Sequence, residues 1–528
     1  MSKKRVLNYC NGALKGNYLT DEDCQVLDNI IHISNENGYI RDLKKCIYNL
    51  YPSDIEVIKE AKSGDVIVEK NLGELEDLQT VGVAYMYYAK RMVLGDSVGL
   101  GKTVEVCGLL NLLSQKRKAE EYDFHFLYLT EKNLVAQTQD KLIKFTGEYV
   151  EDVYGDKKSI QSFLKNNGEL QNSVVASHSV IKSIPFQDYV RQSYQYFGVS
   201  PFDVLVIDES GILGNRSTQM YTMAKELADM FEYVIIINAT PFEKNLSMYY
   251  NQLNFVDDTL LPTLTDFNKR YVVMDYRGPY PKPSGKYKNG AEFKALVRYR
   301  CLARTRKSTG AEMSNCTADV LVSDLSQVQK ELLRRSSMPN MVYDCPSYFF
   351  REGEFETTIE NTPKLKDLLG LVSKLYDDGE SVLIYAMYKE SQRSIQNLLY
   401  GYGIECQIMN GETKIEDKNL LIDKFKSNEL KVLITNVQKG LDFGRCNHCI
   451  FYSYDPSPNK MVQFEGRMTR ERNIIGKHVY LLISRGRELN KFKSVVKDRA
   501  EASDLFAGSD FSCVLSLLLD EEKIDDLE

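Results

Sequence analysis

The chain has 528 residues, of which 43% are apolar and 27% are charged, a composition typical of globular proteins with room for several domains. No apolar run approaches the ~18 residues of a membrane span, and the basic start Met1–Arg5 lacks the apolar stretch of a secretory signal. The eleven cysteines are scattered and odd in number, and the net charge is −7. We therefore expect the protein in a reducing cytoplasm, either a bacterial cytosol or that of a host cell, with the nucleus left open. We expect no membrane partner, and any nucleic-acid surface should be local.

The N-terminal region, residues 1–70, has the spacing of short amphipathic helices, for example Asp21–Ile31 and Ile40–Leu50. It carries no chemical motif. We predict a small helical accessory region there.

The next segment, residues 71–310, contains five apolar runs that each end in polar residues. Helical patterns such as Leu134–Phe145 and Met220–Met230 separate them. Continuous apolar strands that alternate with helices predict a parallel sheet covered on both faces. The predicted strands are Arg91–Gly95, Phe124–Thr130, Ser173–Ser177, Phe202–Asp208 and Tyr233–Asn238.

A second α/β segment, residues 363–519, follows an irregular stretch, residues 311–362, that we predict to be a linker with a short helical insertion. The predicted strands of this segment are Ser381–Ala386, Glu405–Met409, Lys431–Thr435, His448–Tyr452 and Lys477–Ile483. The predicted helices between them are Lys364–Tyr376, Ser391–Tyr400 and Lys418–Lys426. An acidic tail, residues 520–528, ends the chain. The fold class is α/β, with two parallel sheets in tandem.

A phosphate-binding loop, Asp96–Thr103, lies between the first predicted strand and a helix that begins near Lys102. Gly99 and Gly101 leave backbone N–H groups free to face phosphates, and the helix N-terminus favours negative charge. Lys102 is expected to reach the β- and γ-phosphates, and the Thr103 hydroxyl to bind Mg²⁺. The usual pattern begins with Gly, whereas this loop begins with Asp96.

Polar residues follow two other strands of the first segment, where ligands of parallel sheets bind. Asp208 is expected to contact Mg²⁺, and Glu209 to deprotonate the attacking water. An Asp-Glu pair is also common in solvated turns, but its spacing from Lys102 and Thr103 favours catalysis. Thr240, in the segment Asn238–Pro241, is expected beside the same site.

Arg467 and Arg470 lie three residues apart near the end of the second segment, so on a helix they share one face. Two guanidinium groups on one face can clamp the γ-phosphate. A solvated basic helix face is the alternative.

The ordered motifs resemble those of superfamily 2 helicases, and within them the SWI/SNF-type translocases on double-stranded DNA. The resemblance covers about residues 75–485. Gln79 resembles the residue that selects adenine, and a motif that begins with Asp96 is typical of this branch. Further matching positions are Thr130, Ser177, Asn410–Thr413, Thr435, Gly440, Gln463, Arg467 and Arg470.

The resemblance implies two tandem RecA-like (P-loop) lobes that bind ATP and Mg²⁺, with Gly440 and Gln463 also at the nucleotide. It implies sequence-independent contact with DNA phosphates near Thr130, Ser177, Ala386 and Thr435. A replication, repair or transcription protein is a further expected partner. Two alternatives stay open: a strand-separating superfamily 2 helicase, and a nucleotide-gated DNA-binding scaffold with weak ATPase activity.

Three positions in two motifs depart from the family pattern. Ser210-Gly211 replace the usual Ala-His after the acidic pair, and Asn238 replaces a Thr. The resemblance implies that Asn238 and Thr240 belong to the region that couples the ATP site to DNA, so these departures bear on the strength of coupling.

Cys446 and Cys449 have the spacing of half a zinc site. No second pair lies nearby, and the segment leads into a predicted strand. We expect buried packing and no zinc.

Overall fold

The computed structural model describes residues 77–503 except for short segments at 97–99, 167–171, 239–245, 262, 276–281, 291–292, 294–296, 298–299, 305–315, 352–353, 438–442, 444–445, 455–460, 462–463 and 465–476. The predictions for residues 1–70 and 520–528, and those for Gly99, Thr240, Gly440, Gln463, Arg467 and Arg470, lie outside the described residues. The chain divides into two units between positions 310 and 311.

The first unit is built on a seven-stranded sheet with the order β3-β4-β2-β5-β6-β1-β9, in which all described pairings are parallel. Its strands are β1 (Arg91–Leu94), β2 (Phe126–Thr130), β3 (Val150–Val153), β4 (Ser173–Ser177), β5 (Val204–Ile207), β6 (Tyr233–Ile237) and β9 (Cys301–Leu302). A separate antiparallel hairpin joins β7 (Val272–Asp275) and β8 (Lys282–Tyr287).

Helices cover both faces of this sheet because successive strand residues point to opposite sides and both sides are apolar. Along β5, Leu205 and Ile207 pack into one hydrophobic core, whereas Val204 and Val206 pack into the other. The helices are α1 (Asp77–Ala89), α2 (Lys102–Ala119), α3 (Val135–Thr146), α4 (Lys157–Asn166), α5 (Ile184–Phe197), α6 (Gln219–Ala228), α7 (Leu246–Val256) and α8 (Leu264–Tyr271).

The second unit contains a six-stranded parallel sheet with the order β10-β15-β14-β11-β13-β12. Its strands are β10 (Cys316–Ser323), β11 (Val382–Tyr385), β12 (Cys406–Met409), β13 (Val432–Thr435), β14 (His448–Phe451) and β15 (Lys477–Ser484). Its helices are α9 (Gln327–Arg335), α10 (Pro339–Asp344), α11 (Pro363–Asp377), α12 (Lys389–Gly401), α13 (Ile415–Lys426) and α14 (Arg487–Ser503). Two cores again lie on opposite faces.

All ten predicted strands are present, and the predicted helices between them are confirmed to within three residues at each end. The α/β class with two parallel sheets is therefore confirmed. No helix in the described ranges is long and apolar enough to cross a membrane.

The structure corrects one prediction, because part of the presumed linker is a strand of the second sheet. β10 pairs with β15 along its whole length, from Cys316 opposite Lys477 to Ser323 opposite Ser484. As an edge strand it has one exposed side, where Thr317 and Asp319 lie. The continuous apolar run that marks a buried parallel strand is therefore missing from its sequence. The domain boundaries themselves stay predictions.

Candidate nucleotide site

The candidate site lies at the carboxyl edge of the first sheet, where three neighbouring strands end. β5, β6 and β1 are adjacent, so the residues that follow them are brought together from distant parts of the chain. The pairing of β1 with β6 extends one residue beyond β6, because the backbone N–H of Asn238 donates to the backbone oxygen of Leu94 at 3.1 Å. The structure thus places the beginning of the phosphate loop beside Asp208 and Asn238.

Gly101 ends the phosphate loop and caps α2 in a left-handed conformation, with φ at 89°. A Cβ atom at this position would lie 2.5 Å from Nε2 of Gln79. Only glycine combines this backbone conformation with such a close approach. The predicted adenine-selecting residue, Gln79, therefore lies directly against the loop.

Lys102 begins α2, and its Nζ donates to the backbone oxygen of Asp96 at 2.5 Å. Burial lowers the pKa of Lys102 below its ordinary value, while nearby carboxylates, among them Asp208 and Glu209, raise it without outweighing burial. The amine therefore lies within electrostatic range of both residues of the acidic pair. Thr103, the next residue, lies in the first turn of the same helix and is half-buried.

The acidic pair follows β5 in a tightly held turn. Asp208 Oδ2 accepts from the Tyr128 hydroxyl at 3.0 Å, and Oδ1 accepts from the Glu209 backbone N–H at 2.8 Å. Burial, and then the Asp208 carboxylate, raise the pKa of Tyr128 well above its usual range, so this hydroxyl stays protonated and keeps donating. Two donors therefore orient the carboxylate predicted to bind the metal.

His178 also contacts this turn, since its Nε2 lies 2.7 Å from the backbone oxygen of Asp208. It directly follows Ser177 at the end of β4 and is buried. Neither His178 nor Tyr128 is among the site residues predicted from the sequence. A polar side chain within or just after an apolar strand is the signal that could have identified both.

Asp96 was predicted to bind the nucleotide, but its carboxylate is engaged elsewhere. It is completely buried and accepts from Arg304, at 2.8 Å from the backbone N–H and at 2.8 Å from Nε. Nη2 of Arg304 also contacts Asp96 and donates to both carboxyl oxygens of Glu105 at 2.8 Å. We name Asp96, Arg304 and Glu105 the Arg304 cluster. Asp96 thus reaches the site through its backbone oxygen, which holds Lys102.

Helix α1 approaches the Arg304 cluster through Gly82. A Cβ atom at Gly82 would lie 2.1 Å from a carboxyl oxygen of Glu105 and 3.1 Å from Nη2 of Arg304. A larger residue at Gly82 would therefore force the Glu105 carboxyl group or α1 to shift and would disturb the Arg304 cluster.

The four residues predicted to contact nucleic acid are buried: Thr130, Ser177, Ala386 and Thr435. Ser177 Oγ donates to the backbone oxygen of Tyr154 at 2.7 Å, and Thr435 Oγ1 accepts from the backbone N–H of Val437 at 3.0 Å. Buried side chains offer no surface to a polymer, so the structure does not support direct contact by these side chains.

Two lysines close to the same strand ends are exposed. Lys132 follows β2, and Lys182 ends the short helical turn that follows β4. They are the better candidates for phosphate contacts in the first unit, because their amines are open to solvent at the carboxyl edge of the sheet.

The Cys446 and Cys449 side chains are buried in one core of the second unit. Cys446 Sγ donates to the backbone oxygen of His448 at 3.0 Å. This burial agrees with the predicted packing role.

A glycine-ended loop that opens a helix after a parallel strand, with an acidic pair after a neighbouring strand, defines the class of P-loop NTPases. Residues 78–375 match the SNF2-related domain, and residues 363–472 match the helicase conserved C-terminal domain. The chain belongs to the SNF2 family and carries its SNF2-related domain together with a helicase C-terminal domain.

Similar proteins include the putative ATP-dependent helicase/translocase YwqA of Bacillus subtilis, 21% identical over 470 residues, which cover 82% of this chain and 48% of YwqA. The Zorya protein ZorD of Escherichia coli is 22% identical over 556 residues, which cover 91% of this chain and 49% of ZorD. The chain thus spans about half the length of these relatives. Among solved structures, the SWI2/SNF2 ATPase core of Sulfolobus solfataricus in complex with dsDNA is 17% identical, with a TM-score of 0.39 and coverage of 87% of this chain and 97% of that core.

Burial in the Arg304 cluster generates a prediction for stability against pH. Burial raises the pKa of Glu105 from 4.5 to about 8, although Arg304 lowers it. Between pH 4.5 and 8 the folded protein therefore holds a proton that the unfolded chain has released. The contribution of Glu105 to the free energy of unfolding is complete below pH 4.5 and is lost as the pH rises through 8. Between pH 6 and 9 the unfolding free energy of Glu105→Gln is expected to fall less than that of the unmodified protein. Urea denaturation followed by far-UV circular dichroism measures this difference.

Glu120→Gln is the matched control, because Glu120 is exposed just beyond the end of the same helix. This variant should leave the dependence of the unfolding free energy on pH unchanged. Equal profiles for Glu105→Gln and the unmodified protein would contradict the prediction.

Proposed function

We propose that the protein is a motor that couples ATP hydrolysis to movement along double-stranded DNA, or to displacement of proteins bound there. The observation that carries this proposal is the convergence of Lys102 with Asp208 and Glu209 at adjoining strand ends, in a chain of the SNF2 family.

In this proposal the phosphate loop binds the triphosphate through backbone N–H groups at Gly99 and Gly101 and through the Lys102 amine. Gln79 recognises adenine. Glu209 orients and deprotonates the attacking water, a role that a carboxylate beside the bound triphosphate can fill. Arg467 and Arg470, with Gly440 and Gln463, are proposed to complete the site from the second segment.

Mg²⁺ fits the donors of this site. The Thr103 hydroxyl and the Asp208 carboxylate are hard oxygen ligands of the kind Mg²⁺ prefers, and Tyr128 and the Glu209 N–H preset the direction of the Asp208 carboxylate. When bound, the ion neutralises charge on the phosphates.

Duplex DNA is the proposed track because the motifs resemble those of SWI/SNF-type translocases. Similar proteins also include a putative helicase/translocase and a chromodomain-helicase-DNA-binding protein. Binding is proposed to depend on phosphates and to be independent of sequence. Lys132 and Lys182 are the proposed contacts in the first unit.

Hydrolysis is tested with Glu209→Gln. We expect DNA-stimulated turnover to fall by about 10²–10⁴-fold, the range for loss of a general base. Affinity for a non-hydrolysable ATP analogue should stay close to that of the unmodified protein, because Lys102 and the loop remain. If the unmodified protein turns over ATP no faster than this variant, the motor proposal fails and a nucleotide-gated DNA-binding protein is favoured.

Translocation is tested with two substrates under the same conditions of ATP and Mg²⁺. We expect the protein to displace the third strand of a DNA triplex and to leave a forked duplex intact. Movement along a duplex removes a triplex strand in its path without separating the two strands below it. Robust release of a labelled strand from the fork would instead identify a strand-separating helicase.

The proposed phosphate contacts are tested with Lys132→Ala and Lys182→Ala. Each is expected to weaken DNA binding equally across sequences and to lower the slope of log K against log salt by about 1. Lys118→Ala is the control, since Lys118 is exposed at the far end of α2, near the opposite edge of the sheet. A slope for Lys132→Ala and Lys182→Ala equal to that of Lys118→Ala would contradict the assignment.

A further inference from the structure

The turn that carries the acidic pair has a backbone conformation that needs support. Glu209 has φ at 50° and ψ at 52°, in the left-handed region. A residue with a Cβ atom is uncommon there and stays in place only when its surroundings determine the conformation. The side chains that hold the residues beside Glu209 therefore control where its carboxylate points.

Each neighbour of Glu209 is bound to a different element. On one side, the backbone oxygen of Asp208 lies 2.7 Å from Nε2 of His178. On the other side, the Ser210 hydroxyl donates to Oε1 of Gln252, in α7, at 3.4 Å. Ser210 and Gln252 are completely buried, so water does not compete for this bond.

The same oxygen of Gln252 accepts a second hydrogen bond, from Nδ2 of Asn238 at 3.2 Å. An amide oxygen has two lone pairs, and Ser210 and Asn238 use both. Gln252 therefore joins the turn after β5 to the end of β6. Its neighbour Asn251 donates through Nδ2 to the backbone oxygen of Gly214 at 2.8 Å, so α7 holds the turn at two points.

Another buried glutamine of the first unit shows the ordinary structural use of this side chain. Gln187 donates through Nε2 to the backbone oxygens of Ile181 and Met223 at 2.8 and 3.1 Å. Gln252 differs, because its oxygen bonds the side chains of two residues at the nucleotide-site edge. Those residues, Ser210 and Asn238, are two of the three positions at which this chain departs from the family pattern, Gly211 being the third.

We propose that Gln252 is a positioning residue for ATP hydrolysis: its buried amide oxygen binds Ser210 and Asn238 and thereby holds Glu209 in the direction needed to activate water. This inference rests on the role given to Glu209 in the proposed function. It predicts a larger effect on the chemical step than on nucleotide binding, because the described hydrogen bonds of the Gln252 side chain go to Ser210 and Asn238.

The test compares Gln252→Met with the unmodified full chain at saturating duplex DNA. We expect kcat for ATP to fall roughly fivefold or more, the effect of losing two buried hydrogen bonds, while KM and the affinity for a non-hydrolysable ATP analogue stay within about twofold. Ser210→Ala should lower kcat in the same way. The double variant should be no slower than the slower single variant, because both remove the same interaction.

Gln187→Met is the matched control. It should lower Tm by roughly 2–8 °C, as expected for loss of buried hydrogen bonds, and leave kcat unchanged. Equal kcat for Gln252→Met and Gln187→Met, or a rise in KM with unchanged kcat, would overturn the inference. If Gln252→Met does not fold, Ser210→Ala decides the question alone, and an unchanged kcat there overturns it.

Glu209→Gln separates this inference from the proposed function. If Glu209→Gln hydrolyses ATP as fast as the unmodified protein, the proposed function itself fails, and the role of Glu209 with it. If Glu209→Gln is inactive and Gln252→Met keeps full kcat, only the role of Gln252 fails.

Discussion

The pairing of Arg304 with the buried carboxyl groups of Asp96 and Glu105 is the interaction on which the first unit's site depends. Burying acidic groups away from water is costly unless a cation and hydrogen bonds compensate. Here one guanidinium serves two carboxyl groups that come from the beginning of the phosphate loop and the first turn of α2. Arg304 follows β9, so the cluster ties the loop and its helix to the edge of the sheet.

This cluster also explains how a loop with few apolar side chains keeps its place. Asp96 has no water to bind and so stays with Arg304, while its backbone oxygen holds the Lys102 amine. Gly82 allows α1 to come close enough to cover Glu105, and the same helix presents Gln79 to Gly101. This buried charge arrangement thus adds to the apolar packing of α1 against α2 in placing the loop, Lys102 and Gln79.

The acidic pair depends on a different kind of support. Tyr128 and His178 hold Asp208 from the strands on one side, and Gln252 holds Ser210 from α7 on the other. Because these contacts come from β2, from the turn after β4 and from α7, the geometry of Glu209 reflects the packing of most of the sheet. Ser210 and Asn238, which both depart from the family pattern, bond the same oxygen of Gln252. Two separate sequence changes therefore meet in one hydrogen-bonded group.

The sequence by itself determined ten mainly apolar strands and the helices between them, because burial on both faces of a sheet demands apolar residues. It also determined the positions of Lys102, Asp208 and Glu209, because phosphate binding demands particular residue types at particular spacings. It did not determine the edge strand β10, whose exposed side breaks the apolar pattern. Nor did it indicate that Asp96 pairs with Arg304, or that Ser210 and Asn238 meet at Gln252. Those contacts join residues 14 to 208 positions apart, and only the order of strands in the folded sheet brings such residues within hydrogen-bond distance.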